Sequence, residues 1–248
     1  MEKDATLVAQ CEAKAKQWLS PSFDEETRKQ VQEMLDNEDK TELIECFYKN
    51  LEFGTGGLRG IMGAGTNRMN VYNVGMATQG FANYLKKNFN NLAQISVVVG
   101  FDCRNNSSLF AQTVANVFSA NGIKVYIFDD LRPTPECSYA IRYLKAQGGV
   151  NITASHNPRE YNGYKAYWED GAQVLQPHDE GIIDEVNKVS IDDVKFEGNK
   201  ELMQIIGEDI DEPYLRDVRT LCIDPELCRR QHDLSIVYTP LHGAGRVL

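Results

Sequence analysis

The sequence lacks several features that would each point to a particular class of protein. Its six cysteines include no C-x-x-C pair and its four histidines are well separated, so neither a zinc site nor a histidine-based metal site is indicated. No apolar run approaches the length that spans a membrane, and the charged start MEKDATLVAQ does not resemble a secretory signal. Because scattered free thiols are typical of a reducing compartment, we expect a cytoplasmic protein.

Positive charge is also scarce. The chain has 26 Lys and Arg against 36 Asp and Glu, and the resulting net charge of -10 disfavours nucleic acid and anionic membranes as partners. The negative net charge does not exclude an anionic substrate, because a basic cleft can create a positive potential locally. The length of 248 residues and the apolar content of 42% are typical of an ordinary globular chain with one large or two modest domains.

Helical spacing dominates the first fifty residues. Apolar side chains recur at helical intervals over residues 5–19, again after a cap at Ser22 or Asp24, and again from about Lys40. We interpret residues 1–50 as a helical extension that packs on the following domain.

Helices alternate with strands from residue 73 onward. A hairpin over 164–175 is expected to add antiparallel pairing to parallel strands. Residues 51–200 are therefore predicted to form an α/β domain with three α/β/α layers and a mixed sheet. The predicted strands are 95–101, 124–128 and 149–153, and the predicted helices are 74–87, 109–120, 135–146 and 177–189.

The last part of the chain is interpreted as a separate unit. A charged, glycine-containing stretch over residues 190–200 is typical of a linker, and a predicted helix over 212–221 and a predicted strand over 234–238 follow it. We expect residues 201–248 to be the start of a second α/β domain that is incomplete at Leu248. The chain is then expected to be the amino-terminal part of a longer polypeptide.

The segment richest in reactive groups follows the predicted strand 149–153. It places the hydroxyl of Ser155, the imidazole of His156 and the amine of Lys165 within a short stretch. A Ser/His hydrolase would need small residues on both sides of the serine, whereas a histidine follows it directly. Adjacent side chains of an extended backbone also point apart, so His156 is predicted to be poorly placed to deprotonate Ser155. A phosphate on Ser155 fits this loop better, because the loop can supply donors and a cation.

Four segments carry a resemblance to a known family. The sequence TASHNPREYNGYK over 153–165 resembles the phosphoserine loop of the α-D-phosphohexomutase superfamily. EFGTGGLRG over 52–60, GFDCRNNS over 100–107 and YTPLHGAG over 238–245 are similar to three further segments of that family in the same order. The resemblance covers the chain from residue 50 onward, and the helical extension looks like the branch that includes phosphoglucomutase 2 and phosphopentomutase.

The resemblance implies a phosphoryl-transfer mechanism. Family members move phosphate between C1 and C6 of a hexose, or C1 and C5 of a pentose, through a phosphoserine and a sugar bisphosphate. Sugar monophosphates and bisphosphates are therefore the implied partners. The implied catalytic residues are Ser155 as phosphoryl carrier, Lys165 as general acid/base, Arg59 as neutralising cation and His156 as hydrogen-bond donor. The implied phosphate-binding residues are Thr55, Gly56, Arg104 and Asn157.

Mg2+ is the metal that the resemblance implies, since phosphate and carboxylate oxygens are its preferred ligands. The family's metal loop, Asp-Gly-Asp-x-Asp-Arg, does not occur in residues 1–248, so the phosphate on Ser155 would be the only ligand in this chain. We therefore expect the chain alone to be inactive or nearly so.

Three functions remain open for the residues of the chain. The first is a phosphoglucomutase or phosphomannomutase type of enzyme, and the second is a phosphopentomutase or hexose-bisphosphate synthase of the same branch. The third is a non-catalytic chain that binds a phosphosugar or a partner. The family's sugar-specificity loops, which would separate the first two, are not among these residues.

Overall fold

The computed structural model describes residues 5–54 and 56–248. Helices and strands alternate through most of the chain, and two short 3-10 turns, Ile191–Asp193 and Lys200–Leu202, lie near its last strand. The helices are α1 Ala5–Gln17, α2 Glu25–Asp36, α3 Thr41–Phe47, α4 Val71–Asn88, α5 Ser107–Ala120, α6 Thr134–Tyr143, α7 His178–Val186, α8 Glu208–Arg219 and α9 Pro225–Arg230. The strands are β1 Gly57–Ile61, β2 Ser96–Phe101, β3 Lys124–Phe128, β4 Gly148–Ile152, β5 Tyr161–Trp168 and β6 Met203–Ile206.

These strands form a single mixed sheet in the described part of the chain. Its order is β1-β5-β4-β2-β3-β6. Strands β4, β2, β3 and β6 are parallel, whereas β5 runs antiparallel to both β4 and β1. The central strands are buried on both faces, as parallel strands covered by helices require.

Helices cover both faces of the sheet. On one face, Phe81 of α4 and Phe118 of α5 pack against each other and against Val97 and Val99 of β2. On the other face, Ile141 of α6 packs with side chains of β2, β5 and α8. This arrangement confirms the predicted fold class, an α/β fold with three layers and a mixed sheet.

The first helices form a second, smaller core. Trp18 stacks on Phe23 with ring centroids 4.5 Å apart and meets Phe47 of α3 edge to face. Tyr72, at the start of α4, joins this core to the main domain, because its ring contacts Trp18 and its hydroxyl accepts a hydrogen bond from the Asp24 amide at 2.7 Å. The extension is thus attached at the amino-terminal turn of α4.

The sheet extends further along the chain than the sequence predicted. Strand β6 pairs with β3, and Ile206 is 2% exposed within the core beneath α6. A strand that follows residue 200 thus joins the sheet of the domain predicted over 51–200, and the domain boundaries themselves stay a prediction. The four-residue strand MQII was too short to give a periodic signal.

Two other predicted elements differ from the structure. The predicted hairpin over 164–175 is present but shorter. The Trp168 amide donates to the Ala172 carbonyl and the Val174 amide to the Ala166 carbonyl, on either side of the bridge between Tyr167 and Gln173. The predicted strand over 234–238 is absent, and Ile236 and Val237 are 77% and 97% exposed. A strand needs a pairing neighbour, and the described residues provide none for this segment.

No helix in the described ranges is long and apolar enough to cross a membrane.

A buried ionic cluster fastens α8 to the main domain. Arg132, which follows β3, donates from Nε and Nη2 to the two carboxylate oxygens of Asp211 at 2.7 and 2.8 Å. Glu136 of α6 is fully buried beside this pair, with its Oε2 4.0 Å from Arg132 Nε. Burial, together with the neighbouring Asp211 carboxylate, raises the pKa of Glu136 to about 8.

The protonation of Glu136 predicts a pH-dependent stability. The folded state holds a proton that the unfolded state releases above its ordinary pKa of 4.5, so stability that is present below pH 4.5 is lost as the pH rises towards 8. The loss has an upper limit of about 1.4 kcal/mol per pH unit, the value for one proton. Glu136→Gln should remove this slope, because glutamine is neutral at every pH.

Denaturant unfolding of wild type and Glu136→Gln at pH 5, 6, 7 and 8 measures the difference. Glu169→Gln, at an exposed position, is the matched control and should keep the wild-type slope. Parallel pH profiles for wild type and Glu136→Gln would contradict the buried-proton assignment.

Candidate active site

A cleft lies at the carboxyl ends of the parallel strands. The segment after β4 forms one wall, the segment after β2 another, and the loop before α6 a third. Ligands of open α/β sheets bind at this edge. The cleft has a volume of about 720 Å³, and its lining includes Asp102, Arg104, Arg132, Thr134, Thr153, Ser155, Asn157 and His242.

Ser155 lies at the tip of the loop after β4, in an unusual backbone conformation. Its φ is 56°, in the left-handed region, and its amide donates to Thr153 Oγ1 at 3.0 Å. His156 Nδ1 lies 3.3 Å from Ser155 Oγ. The expectation that these neighbouring side chains point apart is wrong, because it assumed an extended backbone at Ser155. The loop still lacks the small residues of a hydrolase nucleophile elbow, since His156 directly follows the serine.

Arg59 reaches the serine loop from the neighbouring edge of the sheet. Its Nη1 donates to Asn157 Oδ1 at 3.1 Å. Strand β5 lies between β1 and β4, and its residue opposite Arg59 is Gly163. Because Gly163 has no side chain, none separates Arg59 from β4 at that position. A Cβ on Gly163 would lie 2.6 Å from the Thr153 carbonyl oxygen, which explains why only glycine fits there.

Lys165 follows Gly163 by two residues and therefore lies on the same sheet face as Arg59. Burial and then the Arg59 charge lower the pKa of Lys165, whereas Asp102 across the site opposes the shift. A lysine with a lowered pKa can exchange a proton near neutral pH more readily than a solvated one. Lys165 and Arg59 thus lie on the same face of the sheet, and Arg59 contacts the serine loop.

Arg104 has a different set of contacts from the one its predicted phosphate-binding role requires. Its two terminal nitrogens donate to backbone carbonyl oxygens of the serine loop, and its Nε lies 3.5 Å from Asp102 Oδ2. The guanidinium therefore holds the loop, and Arg104 lines the cleft with its terminal nitrogens bound to backbone carbonyls.

The two remaining predicted phosphate-binding residues belong to the turn before β1. Thr55 lies outside the described residues. Gly56 is buried, with a φ of 82°, and its carbonyl accepts hydrogen bonds from the Ala166 amide and from Gln173 Nε2. The structure does not place Gly56 on the cleft, and its positive φ and close packing explain the glycine instead.

The sequence analysis did not include Asp102 among the site residues. Its Oδ1 accepts from the Arg104 amide at 3.0 Å and from Ser107 Oγ at 2.7 Å. Its place in the G-x-D-x-R segment was the available signal. His242 also lines the cleft, and its carbonyl accepts a hydrogen bond from Cys103 Sγ at 3.5 Å.

The described residues do not supply a Mg2+ site by themselves. No group of three or more His, Cys, Asp or Glu among them is arranged to hold a metal ion. Asp102, the carboxylate of the cleft wall, is already engaged with Arg104 and Ser107.

The fold and the site together define a phosphosugar-mutase domain. Residues 50–192 match the family model described as phosphoglucomutase/phosphomannomutase, alpha/beta/alpha domain I. The chain belongs to the phosphoglucomutase/phosphomannomutase family.

Relatives and solved structures agree with this assignment. The chain is 36% identical to human phosphopentomutase over 96% of its length, and 36% identical to a Staphylococcus epidermidis phosphoglucomutase over 87%. It covers 40% and 39% of those two proteins, respectively. A putative phosphomannomutase structure from Thermus thermophilus superposes with a TM-score of 0.60 at 27% identity, over 69% of this chain and 36% of that one.

The lowered pKa of Lys165 can be tested through Arg59. Arg59→Gln removes the neighbouring positive charge, so the pKa of Lys165 should rise and its amine should become nucleophilic only at higher pH. The pH midpoint of Lys165 acetylation, followed by peptide mass spectrometry, measures the change. Arg68→Gln, in the segment between β1 and α4, should leave the midpoint unchanged. An unshifted midpoint in Arg59→Gln would show that Arg59 has no influence on Lys165.

Proposed function

We propose that this chain supplies the phosphoserine domain of a phosphoglucomutase-type intramolecular phosphotransferase. Such an enzyme interconverts sugar 1-phosphate and sugar 6-phosphate through a sugar bisphosphate. The observation that carries the proposal is the position of Ser155 at the tip of a strand-end loop, with His156 Nδ1 3.3 Å from its hydroxyl. Arg59 contacts Asn157 of the same loop, and Lys165 is close enough to Arg59 and Asp102 for both charges to act on its pKa.

The charges of the site suit a phosphorylated serine. A serine phosphate carries about -1.5 to -2 charges at neutral pH. Arg59 offers a planar guanidinium that can contact two phosphate oxygens, which an ammonium cannot do in the same way. Positioning and cationic stabilisation supply most of the catalysis in phosphoryl transfer. A guanidinium bound to the serine phosphate would provide both.

The proton transfers can be assigned to two side chains. When a sugar hydroxyl attacks the phosphoryl group, a sugar O–P bond forms and the Ser155 Oγ–P bond breaks. The neutral amine of Lys165 takes the proton of the sugar hydroxyl, and the resulting ammonium returns a proton to the departing Ser155 Oγ, which becomes a hydroxyl again. His156, within hydrogen-bond distance of Ser155 Oγ, donates a hydrogen bond to the phosphoryl group or to the incoming sugar oxygen. The role of His156 is supported by its distance to Ser155 Oγ, and the role of Lys165 by its lowered pKa.

Turnover is proposed to need more of the protein than these residues. The chain spans about 40% of the length of the curated relatives it matches. It also lacks the Asp-Gly-Asp-x-Asp-Arg sequence that would bind Mg2+. We therefore propose that this chain alone has little or no mutase activity and that Mg2+ is bound mainly by residues outside it.

A second candidate function is phosphopentomutase. The identity of 36% is the same for the human phosphopentomutase and the phosphoglucomutase, but it extends over 96% of this chain for the former and 87% for the latter, which supports this candidate. A substrate panel of glucose 1-phosphate, mannose 1-phosphate, ribose 1-phosphate and deoxyribose 1-phosphate distinguishes the hexose from the pentose reaction. Net formation of hexose bisphosphate from an external phosphoryl donor would instead identify a bisphosphate synthase. Binding of these ligands without turnover would identify a non-catalytic chain.

The first test of the function is the site of phosphorylation. This chain, extended at its carboxyl end with the remaining domains of a family member, should be phosphorylated by a sugar bisphosphate and Mg2+ on Ser155. The reason is that Ser155 is the hydroxyl at the loop tip next to Arg59 and Lys165. Peptide mass spectrometry locates the phosphate, and Ser155→Ala is the control. Phosphate found on another residue would refute the assignment of Ser155.

The second test concerns the general acid/base. In the same extended polypeptide, Lys165→Ala should lower kcat by roughly 10²- to 10⁴-fold, the usual contribution of one acid/base group. The KM should change much less. Lys124→Ala is the matched control, because Lys124 is also a half-buried strand lysine but starts β3 at the opposite end of the sheet. Near-normal turnover of Lys165→Ala would show that Lys165 has no acid/base role and is a solvated lysine of the strand.

A further inference from the structure

The hydrogen bonds of Arg104 converge on one segment, the serine loop. Its Nη2 donates to the carbonyl oxygens of Ser155 at 2.7 Å and Asn157 at 2.6 Å. Its Nη1 donates to the carbonyl oxygens of Pro158 at 2.9 Å and Tyr161 at 3.1 Å. The side chain is 12% exposed, and the bonds to Asn157 and Tyr161 are partly buried, whereas those to Ser155 and Pro158 are exposed.

These contacts occupy every proton of the two terminal nitrogens. A guanidinium carries five N–H donors, of which four belong to Nη1 and Nη2 and one to Nε. The four terminal donors match the four carbonyl oxygens, and Nε lies beside the Asp102 carboxylate. A phosphate could bind Arg104 only by displacing a carbonyl of the loop, so the guanidinium is not available as a phosphate ligand in this arrangement.

Asp102 holds the guanidinium on the side opposite the serine loop, at Nε. Its Oδ1 accepts from the Arg104 amide, and its Oδ2 faces Arg104 Nε, so one carboxylate holds both the backbone and the side chain of the arginine. Ser107 Oγ donates to the same Oδ1 and is itself buried at the start of α5. The clamp is thus anchored on the end of β2 and the first turn of α5, both rigid elements.

We propose that Arg104 is a positioning residue that holds the phosphorylated serine in its reactive place. The inference rests on the proposed function of Ser155. By binding the carbonyl of Ser155 itself and three carbonyls after it, Arg104 stabilises the left-handed backbone at Ser155, a conformation that non-glycine residues seldom adopt. The clamp thereby sets the distance from Ser155 to His156 and to the side chains of Arg59 and Lys165.

Arginine is required for this role by its geometry. Lysine carries three donors on one nitrogen and cannot reach four carbonyls spread over residues 155–161. Arg104→Lys keeps the charge but loses the fork, whereas Arg104→Ala loses both. Arg68→Lys is the matched control, since Arg68 is also 12% exposed and donates to the carbonyls of Glu45 and Asn67, away from the cleft.

The first arm of the test uses the 248-residue chain and does not depend on its activity. Amide hydrogen exchange of residues 153–161, followed by mass spectrometry, should be about tenfold or more faster in Arg104→Lys than in wild type. Peptides from α1 to α3 should be unchanged, which shows that the variant is folded. Guanidinium ion added to Arg104→Ala should restore slow exchange of the loop in part. Unchanged exchange in both variants would overturn the clamp.

The second arm measures phosphoryl transfer in the chain extended with the remaining domains of a family member. Arg104→Lys should lower kcat by about 10- to 100-fold with little change in the KM for the bisphosphate, because a misplaced serine slows the chemical step. Arg68→Lys should match wild type. A raised KM with unchanged kcat and unchanged loop exchange would instead make Arg104 a phosphate ligand and overturn the proposal. If wild type itself takes no phosphate on Ser155, the proposed function fails, and the exchange measurement still decides whether the clamp exists.

Discussion

The antiparallel direction of β5 is the constraint on which the site depends. Strand β4 ends at the cleft, and β5 begins there because it runs back beside β4. The segment between them is therefore anchored at both ends within a few residues, and it carries Ser155 at its tip. The same reversal places Lys165 four residues after the start of β5, opposite Asn151 of β4. Had β5 been parallel, its first residues would lie at the opposite end of the sheet, away from the serine.

Close backbone approach is what makes this reversal possible. Gly163 lies between the carbonyl of Thr153 and the carbonyl of Leu58, at distances that leave no room for a Cβ. Gly57 has the same restriction, because a Cβ there would lie 1.7 Å from the Tyr164 carbonyl oxygen. These glycines belong to the two segments, 52–60 and 153–165, that carry the family resemblance. Their identity is explained by the pairing of β1, β5 and β4, which brings Arg59 to the loop.

The sequence was sufficient to predict the layered fold. Strong apolar runs such as Ile95–Phe101 and Lys124–Phe128 predicted strands that the structure contains almost residue for residue. Short or unpaired segments were predicted poorly. Strand β6 gave too little periodicity to be recognised, and the apolar residues 234–238 suggested a strand although the described residues offer it no neighbour.

The errors within the site have a common physical origin. The distance between Ser155 and His156 depends on a positive φ, and nothing local in Ala-Ser-His-Asn announces that conformation. It becomes understandable only when Arg104, fifty-one residues earlier in the chain, is seen to bind the Ser155 carbonyl. The phosphate contact of Arg104 was implied by the family resemblance, whereas its contacts in the structure are with carbonyl oxygens of the loop. Long-range contacts of this kind are absent from any local pattern.

The three cations near Ser155 make different contacts, and this difference matters if the serine gains and loses a phosphate. Arg104 binds backbone carbonyls, which are present in both the phosphorylated and the unphosphorylated serine, so its contacts do not depend on the phosphate. Arg59 binds the side chain of Asn157 with one nitrogen and Lys165 has a lowered pKa, so both can respond to a change of charge at Ser155. An overall charge of -10 would oppose an anionic ligand at long range, but the Debye length of about 8 Å at physiological salt confines that effect. Within that distance the neighbouring cations dominate the local potential. Arg104 is bound to backbone carbonyls, so under the proposed function Arg59 and Lys165 are the cations that would respond to the phosphate.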